Sequence, residues 1–195
     1  MKRLATSLLV FWLAGPAAIP VQEKWVIGQE STICIEGKTN INNFRCDIFE
    51  YLPHDTLVFY RDDQTRKPLS IRGGISININ RFDCHQKYIT QDLRKTLKAD
   101  QKPCLDIDLL NIGYFDRTHP PRKVNGWVDI EIAGTKRRID INYDVEAMNG
   151  NDLRLTGTKT LNFSDFGLVP PRKLAGLIRV EEQICVRFQL LLRPI

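Results

Sequence analysis

From residue 31 onward, apolar and polar residues mostly alternate, in runs cut by turn-forming residues. Successive side chains on a β-strand point to opposite faces, so each run reads as a strand with one apolar and one wet face. Residues 56–60 (TLVFY) predict a short strand. In 69–80 (LSIRGGISININ), Ile75, Ile77 and Ile79 share a face against Ser76 and Asn78, and Gly73-Gly74 reads as a bulge or sharp bend inside one long strand. In 104–115, Leu105, Ile107 and Leu109 oppose Asp106 and Asp108. The clearest unit spans 125–145. Val128, Ile130 and Ile132 alternate with Asp129 and Glu131, the Ala133-Gly134-Thr135-Lys136 group turns, and Ile139, Ile141, Tyr143 and Val145 alternate back, which predicts a hairpin. After a turn at Asn149-Gly150-Asn151, Leu153, Leu155, Leu161 and Phe163 share a parity. A closing strand over 184–192 sets Ile184, Val186, Phe188 and Leu190 against Cys185, Arg187 and Gln189.

One segment changes period. Over 87–100, Ile89, Leu93 and Leu97 recur four apart with Gln91, Arg94, Lys95 and Lys98 outside, which predicts an amphipathic helix ended by Pro103. Many strands with one apolar face need a second sheet or closure on themselves, and an antiparallel barrel also removes the free edges. At about eight strands the interior is just wide enough to be filled by side chains or to hold one small ligand, and periodicity does not choose between them.

The N-terminus has a different pattern. Lys2-Arg3, an apolar run over 4–14 and the small residues Gly15, Ala17 and Ala18 have the order of a secretory signal peptide, too short to span a bilayer. The expected organisation is a signal peptide over 1–18, a lead-in over 19–30 and one barrel domain over 31–195. The mature chain is then expected to be periplasmic or secreted and soluble, without stable membrane insertion.

Loss of Lys2 and Arg3 leaves 26 basic against 23 acidic residues, too mild a balance for nucleic acid. Export places the five cysteines (Cys34, Cys46, Cys84, Cys104 and Cys185) where disulfides persist, and the odd count leaves at least one unpaired. None forms a C-x-x-C pair, so no zinc knuckle or thioredoxin-type site is supported.

Several motifs suggest chemistry and fail on inspection. Gly37-Lys38-Thr39 could close a phosphate-binding loop, but the position five residues before Gly37 is Thr32, not the glycine that the loop requires. Asp83-Cys84-His85 could be a metal site, yet neighbours on a strand end diverge and no second cluster completes the ligand set. His54 and His119 lie in Pro-rich turns. Asp165-Phe166-Gly167 matches a kinase triplet without the rest of the kinase set. No nucleophile, base and orienting group come together, so no catalytic residue, metal or cofactor is assigned and an enzyme is not expected.

The segments STICIEGKTNINNFRC (31–46), FDC (82–84), GWVDIEIAGTKRRIDI (126–141) and NFSDFGLVPP (162–171), in that order, resemble the YceI-like family over about residues 25–192. The resemblance implies an all-β, elongated, eight-stranded, lipocalin-like antiparallel barrel with one amphipathic helix in a crossover. It also implies a periplasmic location and an apolar lumen holding a polyisoprenoid or related lipid. Gly37-Lys38-Thr39-Asn40 is similar to a turn that ends the first barrel strand in one branch of the family. The histidine that follows that strand in the better-described branch is missing here.

On this frame the expected lumen wall is Phe59, Ile77, Leu97, Leu109, Ile130, Ile141, Leu155, Phe163, Phe166 and Phe188, with Arg172 and Lys173 as candidates for a lipid head group. These apolar positions also read as plain core. Cys46 and Cys84, each beside a landmark of the fold, are expected to form a disulfide. Cys34 and Cys185 share the outward parity of neighbouring strands and could form a second, leaving Cys104 free. The leading functional expectation is an exported protein that holds a long-chain lipid for storage or transfer. The alternatives are a filled barrel acting as an envelope-stress or interaction module, and a thiol- or isoprenoid-quinone-dependent redox protein. The sequence names no oligomeric state, leaving a homodimer open.

Overall fold

The structure is a computed structural model, and it describes residues 21–48, 55–62, 64–116 and 123–195. The segment read as a signal peptide, and His54 and His119, lie outside these residues. The described strands are β1 (Val21–Ile27), β2 (Thr32–Thr39), β3 (Asn43–Ile48), β4 (Thr56–Arg61), β5 (Leu69–Arg72), β6 (Gly74–Asn78), β7 (Phe82–Asp83), β8 (Cys104–Ile112), β9 (Lys123–Ile132), β10 (Thr135–Ala147), β11 (Leu153–Asn162), β12 (Arg172–Lys173) and β13 (Ile178–Pro194). One α-helix, α1 (Lys87–Thr96), stands between β7 and β8.

The pairing is antiparallel throughout and closes on itself. The path runs β1-β4-β5-β8-β9-β10-β11-β13, and β13 pairs back onto β1 through Trp25↔Pro194, Val26↔Arg193 and Ile27↔Leu192. Counting β1 with β2, β3 with β4 and β5 with β6, the barrel has eight staves, as the alternating pattern and the family resemblance lead one to expect. Within the segment read as a lead-in over 19–30, residues 21–27 form a stave, with Trp25 and Ile27 buried. Its polar first half masked the alternation.

Local sequence explains the breaks. Gly73 adopts φ 124°, and a β-carbon there would sit 2.5 Å from the Thr56 carbonyl, so the long 69–80 strand bends where the glycine pair predicts. The β9–β10 hairpin turns on Ala133-Gly134, both at positive φ, the twist a two-residue loop requires. Between β1 and β2, Gly28 N–H donates to the Leu191 carbonyl at 2.7 Å and Leu191 N–H donates to Ser31 Oγ at 3.0 Å, sealing the kink to β13. Gly37 lies inside β2, not in the turn. The turn is Asn40-Ile41-Asn42, where Thr39 Oγ accepts from the backbone N–H of Ile41 and Asn42.

The two ends of the barrel differ. At the end formed by β1, β4 and β5, Trp25, Ile27, Leu57, Phe59, Leu69, Ile112, Leu153, Leu155 and Leu192 are 2% exposed or less, and Trp25 meets Phe59 edge-on at 6.0 Å. Buried Arg61 finishes this plug by donating to the Phe115 carbonyl at 2.7 Å and pairing with Glu23 at 3.3 Å. We call this the closed end.

The opposite end carries α1, whose buried Leu93 and following Leu97 join the core as its four-residue spacing predicts. Thr90 Oγ accepts from Cys84 N–H at 3.0 Å and donates to the Gln86 carbonyl at 3.1 Å, fixing the helix start to β7. Beside it, Cys46 and Cys84 form a disulfide across the β3–β7 pair.

Candidate functional site

Three voids run in series from mid-barrel to the helix end. The first, about 60 Å³, is lined by Ile33, Leu109, Val128, Tyr143, Lys159 and Phe188 among others. The second, also about 60 Å³, lies nearer the helix and takes in Ile77, Leu93, Leu97, Leu105, Ile132 and Phe163. Ile33, Ile107, Ile130, Leu161 and Val186 line both, so these five side chains form the constriction between them. The third, about 130 Å³, is the mouth, where Ile41, Phe44, Tyr88, Ile89, Asp92 and Lys173 surround the opening. Dry apolar cavities of about 150 Å³ admit a benzene-sized ligand. Each interior void is smaller than that, so a long chain would fit only if side chains at the constriction turned aside.

The expected lumen residues divide between these zones. Ile77, Leu97, Leu109, Ile130, Ile141, Phe163 and Phe188 line the voids. Phe59 and Leu155 pack into or toward the closed end and touch none of the three. Phe166 is buried in the turn Phe163–Phe166 that follows β11. Arg172 is exposed, whereas Lys173 stands at the mouth paired with Asp92 at 2.7 Å. The expected lumen set left out Ile33, Ile107 and Val186, although the alternation already put Ile107 and Val186 on the apolar faces of their strands, and it left out Lys159, which shares the inward parity of Leu155 and Leu161.

The wall of the first void is partly open. The β10–β11 ladder runs from Ala147↔Leu153 to Tyr143↔Gly157 and stops, although β10 begins at Thr135 and β11 continues to Asn162. Beyond Gly157 the two staves are unpaired, leaving a seam. Its floor is Tyr143 and Phe188, edge-on at 5.7 Å over Gly157. Its far end is tied by Arg137 Nε donating to the Asp165 carbonyl at 2.7 Å. Lys159 stands opposite inward-facing Val186, and its ammonium reaches out to Asp140 Oδ1 at 2.8 Å. That contact holds the Asp140 carboxyl below its ordinary range.

The outer face of β2, β3 and β13 carries a charged network. Arg45 and His85 converge on Asp47 at 2.8 and 3.1 Å, and Glu36 takes Arg187 at 2.9 Å. Arg45 above all, with His85 and Cys34 adding, holds the Asp47 carboxyl below 3.8 against the opposing effect of burial. Burial first, then Asp47, pushes the Cys34 thiol up to about 11, the reverse of an activated nucleophile. Cys34 lies opposite Arg187 while Cys185 lies opposite Glu36, two residues out of register, and both are free thiols, as is Cys104. His85 N–H donates to Asp83 Oδ1 at 2.8 Å, and Cys84 is spent in the disulfide; among the described residues no three His, Cys, Asp or Glu are grouped for a metal. No helix among the described residues is long and apolar enough to cross a membrane.

No family sequence model and no curated protein sequence matches the chain significantly. Several solved structures are similar in three dimensions, among them the following two. BcnA of Burkholderia cenocepacia matches with a TM-score of 0.62 at 14% identity, covering 83% of this chain and 96% of that one. A polyisoprenoid-binding domain from Saccharophagus degradans, implicated in plant cell wall breakdown, matches with a TM-score of 0.58 at 10% identity, covering 88% and 98%. This chain therefore shares its overall fold with these two proteins.

Proposed function

We propose that this chain is a YceI-like carrier that holds a polyisoprenoid or other long apolar chain in the helix-end half of its lumen, for storage or transfer outside the cytoplasm. The row of apolar voids leading to the mouth carries the reading, because the closed end shows that this sequence packs tightly where it has no space to keep. Burial in such a lumen contributes about 25 cal/mol per Å² of apolar surface, so a chain needs few polar contacts to be held. The fold shared with a polyisoprenoid-binding domain supports the same reading. The signal-like start and the Cys46–Cys84 bridge support export.

Organic-solvent extraction of the exported protein, followed by mass spectrometry, tests the proposal. The expected result is a stoichiometric long-chain lipid, reduced in Ile130→Phe, which fills the constriction. An extract from folded protein with no lipid above a control protein overturns it. The small size of the interior voids favours a second reading, a filled barrel whose outer surface is the working part, and that result would select it.

A further inference from the structure

The seam between β10 and β11 carries a lysine in an unusual position. Lys159 occupies an inward position of β11, flanked by inward Leu155 and Leu161, and its stem lines the first void. It is the one charged side chain in that lining; the rest is aliphatic or aromatic. A lysine on an apolar wall keeps its ammonium solvated by extending it past the apolar surface. Here it extends through the unpaired stretch between the staves, so its side chain is 30% exposed and meets Asp140, itself 49% exposed. The stem therefore borders the apolar lumen, while the ammonium sits in the seam on the solvent side, paired with Asp140.

We infer that this seam is the head-group site of the lumen: a long-chain carboxylate lies with its tail in the voids and its carboxylate on Lys159, displacing or sharing Asp140. The inference rests on the carrier reading and names the ligand class. The charge balance selects the head. One lysine, partly neutralised by Asp140, matches a single negative charge, and no second cation lines this void to meet a diphosphate. The rival cation, Lys173, stands at the other end of the row of voids and is held by Asp92. A tail anchored at the seam would run toward the helix end, since Tyr143 and Phe188 floor the seam on the closed side.

Delipidated protein titrated with cis-parinaric acid and with its methyl ester, read by polyene fluorescence, tests the assignment. One charge-assisted hydrogen bond is expected to favour the acid by about tenfold or more. In Lys159→Met the acid and the ester should bind within about twofold of each other, in Lys173→Met the preference should persist, and Asp140→Asn should strengthen the acid. If the wild type binds both probes equally, if the preference survives in Lys159→Met, or if it vanishes in Lys173→Met instead, the Lys159 site is overturned while the carrier reading stands. If folded wild type binds neither probe, both fall.

Discussion

The ring of Phe44 covers its cross-strand partner Gly37 so closely that a β-carbon at 37 would sit 2.3 Å from Phe44 Cζ. Gly157 and Phe188 repeat the relationship at the same 2.3 Å on the β11–β13 pair. In both, the glycine admits an aromatic ring that also lines a void. Gly37→Ala and Gly157→Ala must each push a ring off its seat. Each is expected to lower stability by about 1–3 kcal/mol in urea unfolding, and Gly157→Ala should also disturb probe binding at the seam.

The Cys46–Cys84 bridge closes a loop of 38 residues in sequence separation. Restriction of the unfolded chain by such a loop is worth about 3–4 kcal/mol. Cys46→Ala/Cys84→Ala, or the wild type under reductant strong enough to open the bridge, should lose about that much in the same urea assay, while the three free thiols are unaffected.

Those three thiols should separate by reactivity. Cys34 is buried beneath Asp47 and its ionisation is pushed up, while Cys104 and Cys185 are half-buried. Maleimide labelling of the native protein near neutral pH, followed by peptide mapping, should modify Cys104 and Cys185 first and Cys34 only after unfolding. Asp47→Asn removes one of the groups holding the thiol protonated and should speed labelling of Cys34.

Asp47 also predicts an acid limb. Its folded-state ionisation lies below the ordinary 3.8, so it contributes stability above that value, and the contribution is lost as pH falls through the folded value. The difference in urea midpoint between wild type and Asp47→Asn should be full near pH 7 and shrink steadily below about pH 4.

Leu161 is 5% exposed and belongs to the constriction. Leu161→Ala is expected to cost about 2–5 kcal/mol and to merge the two interior voids. In parinarate titrations the merged lumen should bind the probe more tightly than the wild type, despite the lower stability seen in urea.

The parity of the strands carried much of this into the sequence. The hairpin at Ala133-Gly134, the bend at Gly73 and the inward set from Ile77 to Phe188 were legible because a period of two is read directly from residue order. Lys159 obeyed the same parity yet stayed hidden, since a charge among apolar positions reads as an outward residue until the neighbouring stave is known to be unpaired. The offset of Cys34 from Cys185 likewise depended on register, which alternation leaves free by steps of two. Where the lumen narrows is a matter of side-chain packing across five or more strands, and no local pattern encodes it.

Strand β13 pairs with β11 along one edge and with β2 and then β1 along the other, so that contacts such as Leu191 with Ser31 join residues 160 apart. The ring is thus completed by the last of the described strands in chain order. Until then β1, β2 and β11 present open hydrogen-bonding edges to any other chain nearby. Such distant pairing makes for slow folding, and the interval before closure is when the chain is most exposed to aggregation.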